Sequence, residues 1–156
     1  MMAENDIWLS LQPFVHEFTT PMPTEAARAK QQQVYAGTDN AYRLANKYGI
    51  ETAWGTDTLF SAQLAATQGA QVAYMKRWYA SAQVLEMVTA TNAELLALSG
   101  PRNPYPGKLG VVAQEAFADL LLVDGNPLEN LDLVANPEDN FVVIMKDGIV
   151  YKNLLR

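Results

Sequence analysis

The sequence predicts an α/β fold, and three observations carry that expectation. Short apolar runs at 7–11 and 50–54 bracket a long stretch with helical periodicity. The segment 61–98 is helical in composition throughout. After a proline-rich connector at 101–107 the remaining residues become β-prone. The first hundred residues therefore read as strand, helix, strand, helices, and the last fifty as mostly strands. A length of 156 residues suits one domain or a domain and a half. With 49% hydrophobic and 18% charged residues, the composition is globular and not disordered.

Each element has a local cause. Ile7-Trp8-Leu9-Ser10-Leu11 is a β-prone run ended by Gln12-Pro13. Pro21 and Pro23 oppose helix and make a loop. A helix begins near Thr24, whose hydroxyl can cap the first free N–H groups. Val34, Ala41, Leu44, Ala45 and Tyr48 fall on one face of it, the pattern of a helix that buries that side. Gly49 suits a left-handed cap that stops the helix. Ile50 to Trp54 is the second strand, and it runs into Gly55-Thr56-Asp57-Thr58, a tight turn with an acidic residue just past the strand end.

Ser61 to Leu98 is expected to hold two or three helices. Thr91-Asn92 is predicted to break the run and cap a new helix, and Gly100-Pro101 ends it. Leu109–Val112, Ala118–Val123 and Phe141–Met145 are the predicted strands of the last part. Asp147-Gly148 between two apolar runs is a hairpin signal. The predicted divisions are 1–100, a connector at 101–107, and a β segment at 108–156.

Composition excludes several function classes. Without cysteine there is no disulfide scaffold, thiolate metal site or cysteine nucleophile. His16 is the one histidine, so no metal site can be built from several imidazoles of this chain. A net charge of −6 argues against a nucleic-acid surface. The N-terminus is acidic with no apolar run behind it, and no stretch approaches the roughly 20 apolar residues of a membrane span. The expectation is a soluble, cytoplasmic protein that binds neither nucleic acid nor membrane. No phosphate-binding or dinucleotide glycine motif occurs, and no Gly-x-Ser-x-Gly.

Four segments stand in a telling order: Gly55-Thr56-Asp57, Thr91-Asn92-Ala93-Glu94-Leu95-Leu96, Ala118-Asp119-Leu120-Leu121-Leu122-Val123-Asp124-Gly125-Asn126-Pro127-Leu128, and Met145-Lys146-Asp147-Gly148. Together they resemble the C-terminal part of the amidohydrolase superfamily, in the branch of imidazolonepropionase-like and Xaa-Pro dipeptidase-like enzymes. The resemblance runs from about Asp6 to the end. It implies the last two βα units of a (β/α)8 TIM barrel, with strands at 7–11 and 50–54, followed by the C-terminal share of a small β-sandwich. One departure is visible: Glu115 stands where such proteins commonly have glycine.

The resemblance implies that Asp57 binds a divalent metal, zinc by family expectation, and moves a proton from the metal-activated water to the leaving nitrogen of a C–N bond. The substrates it implies are small amides or dipeptides. A carboxylate on a turn at the C-terminal end of a barrel strand suits both duties. Read from spacing alone, Asp57 is equally a turn residue or the N-cap of the helix near Ser61. The family's His-x-His pair and its other histidine ligands do not occur in this sequence. Three protein ligands are the usual minimum for zinc, so the chain alone is expected to be inactive and to hold no metal stably.

Two alternatives stay open: a non-catalytic module that self-associates through open strand edges, and one half of a split hydrolase. Either a homo-oligomer or a missing N-terminal segment is the expected partner. The tandem Met1-Met2 fits a truncated reading frame or a start placed inside a longer gene. Among other residues, Gln12 is a candidate to face the site and His16 reads as a solvated loop residue. Arg77-Trp78-Tyr79 reads as helix packing before cation–π recognition. Lys76 and Lys108 read as solvated, and Asp119 and Asp124 as strand terminators.

Overall fold

The computed structural model describes residues 1–59 and 61–155. Arg156, the end of the predicted β segment, lies outside the described residues. β1 (Leu9–Leu11) and β2 (Thr52–Trp54) lie parallel, with Leu9 opposite Thr52 and Leu11 opposite Trp54. Parallel neighbours need a crossover, and α1 (Glu25–Tyr48) supplies it. The Thr24 hydroxyl accepts the Ala27 N–H, and Gly49 closes the helix with a φ of 60°. Both ends match the reading of the sequence.

The buried side of α1 does not match it. Thr38, Tyr42 and Ala45 are the buried residues, whereas Val34, Leu44 and Tyr48 are exposed. At 100° per residue, the exposed stripe lies about a quarter-turn round the helix from the buried one. The periodicity found the apolar stripe correctly, but this chain covers only its edge. Tyr42 does the packing instead. Its ring stacks on Trp78 with centroids 4.5 Å apart and meets Tyr79 edge-on at 6.2 Å. Its hydroxyl donates to the Leu11 carbonyl, tying α1 to β1. Burial holds the Tyr42 phenol well above its usual range. Met75 and Val84 complete the centre of the core.

A helical layer follows β2: α2 (Ala62–Ala65), α3 (Gln68–Tyr74), α4 (Ser81–Glu86) and α5 (Asn92–Ala97). The predicted break at Thr91-Asn92 is absent. A π-helical turn over Met87–Thr91 joins α4 to α5, and Thr91 is helical with a φ of −63° and no capping bond. Such a turn carries an extra residue and changes the face that the next helix presents. Asn92 caps a strand edge in place of a helix end. Its Oδ1 accepts the Trp54 N–H at 2.9 Å, and its Nδ2 donates to the Trp54 carbonyl at 3.0 Å. One side chain thus satisfies both backbone groups that Trp54, at the end of β2, would offer to a further strand.

Leu109–Val112 is not a strand. Its neighbourhood has a single bridge, Lys108 to Ala116, and Gly110 adopts a φ of 70° against the π turn. A Cβ on Gly110 would lie 2.4 Å from the Thr89 oxygen, so close approach decides this segment over β propensity. Glu115 takes a φ of 65°, the left-handed conformation that glycine favours.

β3 (Leu120–Val123), β4 (Phe141–Lys146) and β5 (Ile149–Asn153) form an antiparallel meander in that order. Asp147 and Gly148 have φ values of 50° and 75°, as a two-residue hairpin turn requires. The Asp119 carboxylate accepts the Asp147 N–H at 2.8 Å, so it secures that turn to the start of β3. Between β3 and β4 lie a 3-10 turn at Leu131–Ala135 and α6 (Pro137–Asn140). Leu131 and Val134 enter the same core as Tyr42 and Met75. Gly69 of α3 permits this, since a Cβ there would meet the Val134 oxygen at 2.2 Å.

Candidate functional site

Both parallel strands end on the same side, where exit loops of such a pair form ligand sites. The chain leaves β1 through Gln12-Pro13-Phe14 and β2 through Gly55-Thr56-Asp57. A pocket of about 300 Å³ lies between the two exits, lined by Phe14, Phe18, Asp57 and Gln71 among others. A groove of about 490 Å³ lies against α1, but it is apolar and Glu4 is its one ionisable side chain apart from Tyr48.

Asp57 is exposed at the mouth of the smaller pocket, and its φ of 53° is left-handed. A non-glycine residue adopts that region at a cost, and such conformations gather at functional sites. The turn is held by the Leu59 N–H donating to the Asp57 carbonyl at 3.1 Å and by a 3.1 Å contact between the Thr56 and Thr58 hydroxyls. The carboxylate itself has no hydrogen bond or ion pair among the described residues. Ser61, not Asp57, caps α2: its hydroxyl accepts the Leu64 N–H at 3.2 Å. The N-cap alternative for Asp57 is thereby removed.

Gln71 was not marked by any sequence motif. It is 2% exposed, and its Nε2 donates to Thr67 Oγ1 at 3.1 Å and to the Leu64 carbonyl at 3.4 Å. Phe18 is set by an edge-on contact with Tyr74 at 5.6 Å. Trp54, just before the Asp57 turn, has a buried indole N–H with no partner among the described residues.

The other candidates are placed elsewhere. Gln12 and His16 do not line the pocket. His16 is exposed and edge-on to Tyr35 at 6.3 Å. Trp78 and Tyr79 are core residues, and Arg77 lies 5.9 Å from the Trp78 ring centroid while pairing with Asp39. Asp39, which no motif singled out, accepts from Trp78 Nε1 and Arg77 Nε at 2.9 Å and from Arg43 Nε at 3.1 Å. The Trp78 bond first, then the Arg77 guanidinium, hold its carboxyl below the usual range. Lys76 is half-exposed and pairs with Asp132.

Among the described residues, no three His, Cys, Asp or Glu side chains gather into a set that could hold a metal ion. Asp57 can supply one carboxylate donor, and the donor set of this chain does not by itself make a metal centre.

The sequence matches no protein-family profile and no curated protein. Solved structures match it over most of its length. A crystal structure of an amidohydrolase aligns with a TM-score of 0.82 at 23% identity, over 99% of this chain and 37% of that one. A prolidase complexed with N-methylphosphonate-L-proline aligns at 0.79 and 23% identity, over 97% of this chain and 36% of its own. A Xaa-Pro dipeptidase with methionine bound in its active site aligns at 0.66 and 27% identity, over 83% and 29%. The chain spans about a third of the length of the solved chains it matches. It shares the fold of part of the solved amidohydrolase and prolidase chains it matches.

Proposed function

We propose that this chain is the C-terminal part of a metal-dependent hydrolase of C–N bonds, with dipeptides or small amides as substrates. β1 and β2 are then the last two strands of a (β/α)8 barrel, and β3 to β5 the C-terminal share of a β-sandwich. Asp57 supports this reading most directly, since it stands in a strained left-handed turn past the end of β2 and lines a pocket between parallel-strand exits. In a complete site it would give one carboxylate to a divalent metal, zinc by expectation, whose remaining ligands lie outside this chain. A bound metal of this kind lowers the pKa of its water to about 7. The step this chain's own residues can carry is proton movement at the Asp57 carboxylate, from the attacking water to the leaving nitrogen.

The uncovered apolar surfaces fit a share of a larger fold. Val34, Leu44 and Tyr48 on α1, Leu121 on β3 and Tyr151 on β5 are all exposed. Recovery from its own cells, through a tag on the C-terminus, is expected to yield an assembly that hydrolyses dipeptides and loses activity to a chelator. Asp57→Asn is then expected to lower kcat by about a hundredfold or more while the assembly stays intact. A chelator-insensitive hydrolysis, or an Asp57→Asn assembly of unchanged kcat, would overturn the reading. An assembly containing only copies of this chain and no hydrolysis would favour the self-associating module.

A further inference from the structure

We propose that the pocket beside Asp57 receives an uncharged apolar group carrying an amide N–H, and that Gln71 is the residue that recognises that N–H. The proposal rests on the hydrolase reading and names the part of the substrate that this chain would hold. Three features of the pocket carry it.

Its lining sets the apolar side chains of Phe14 and Phe18 on the β1 exit and Leu64 on α2 among short hydroxyl side chains. Pockets of this composition select by a few placed polar groups. Among the described residues, Asp57 is the one ionisable side chain in the lining, and no lysine, arginine or histidine lines it. In the metal-free chain, a ligand carboxylate seated there would lose water and face the Asp57 carboxylate without a cation to compensate.

Gln71 is the third feature. Both donors of its carboxamide are engaged, by Thr67 and by the Leu64 carbonyl, while its Oε1 receives no hydrogen bond among the described residues. Fixed by those two bonds and almost wholly buried, Gln71 offers an acceptor to the pocket without further ordering. The Thr19 hydroxyl is already shared with the Val15 carbonyl and Tyr35, so it does not compete for the same ligand group.

Three probes with one body separate the contributions: phenylacetamide, its ester methyl phenylacetate, and phenylacetate. Each is titrated into the isotope-labelled chain, and side-chain and backbone amide shifts are read by NMR. Phenylacetamide is expected to shift the Gln71 side-chain amide and the Thr56 and Thr58 backbone amides. The ester, which lacks the N–H, is expected to bind about fivefold more weakly. Phenylacetate is expected to bind at least about tenfold more weakly.

Gln71→Leu is expected to abolish the preference for amide over ester. Because Gln71 also braces the α2–α3 junction, Phe14→Ala is the second variant, expected to weaken amide and ester alike and to leave their ratio unchanged. Equal binding of phenylacetate, shifts confined to residues outside the pocket, or no binding of phenylacetamide would each overturn the proposal. Any of these alongside Asp57-dependent hydrolysis in the intact assembly would leave the hydrolase reading standing. Amide preference in the chain, with no hydrolysis by the intact assembly, would overturn that reading and keep the pocket.

Discussion

β2 and β3 are both short, mostly apolar strands, yet they end in opposite surroundings. Thr52 and Ala53 of β2 are buried, while Leu120, Leu121 and Leu122 of β3 are 39%, 56% and 47% exposed. The difference lies in what covers them. β2 is packed by the π turn and α5, and Asn92 bonds both backbone groups of Trp54 at its end. The meander has its ladder bonds, but Ile149, Val150 and Tyr151 are consecutive and all exposed, so apolar groups stand on both faces of β5. Backbone pairing makes a sheet, but a second layer makes a core. The meander is attached mainly through Leu131 and Val134, which reach the core around Tyr42.

Substitutions can break this contrast. Tyr42→Ala removes a fully buried aromatic and its bond to Leu11, and should lower stability by about 3–5 kcal/mol in a denaturant titration. Leu121→Ala, at 56% exposure, should change it by no more than about 0.5 kcal/mol. Equal losses would mean that the meander is covered after all.

Gly69→Ala strikes the attachment between the two regions. Its Cβ would press on the Val134 carbonyl, and the expected cost is about 2–3 kcal/mol. Hydrogen exchange should then show protection lost first at Leu131–Ala135, ahead of α1. Asn92→Ala should cost about 1–2 kcal/mol, because both Trp54 backbone groups lose their partner. Amide exchange at Trp54 should rise while the β3–β4 ladder is unchanged.

The smallest expected effect is at Asp39. Its folded carboxyl titrates below the ordinary value of 3.8, so the unfolded chain takes up protons first as pH falls. Wild type should exceed Asp39→Asn in stability by less than about 1 kcal/mol, in full above that ordinary value. The excess should vanish as pH falls through the folded value. A pH-independent difference would show that the Trp78 bond acts through geometry alone.

Much of the fold was legible because its signals are local. Thr24, Gly49 and Asp147-Gly148 act on their own neighbours, and each does what its chemistry dictates. The failures arose where distant chain intervened. Asn92 looks like a helix cap until β2 stands opposite it, and Gly110 sits in a β-prone run until the π turn packs against it. The α1 stripe was visible as a pattern, but which edge of it lies buried depends on Tyr42 and Trp78 meeting across 36 residues of sequence. Asp57 stands out in the sequence by its turn and by the ordered motifs around it, and the structure places it in a pocket lining. Gln71 could not, since a glutamine in a helix carries no local sign that Thr67 and Leu64 will fix it in a pocket wall.

On the proposed reading this chain is a share of a larger hydrolase fold, with Asp57 as its one metal ligand and with exposed apolar faces that the rest of the fold would cover. Light scattering with elemental analysis on the purified chain tests it most directly. The expected result is a mass above the 17.2 kDa of a single chain, from faces covering one another, with no stoichiometric divalent metal. A monodisperse 17.2 kDa monomer holding one metal ion per chain would contradict it.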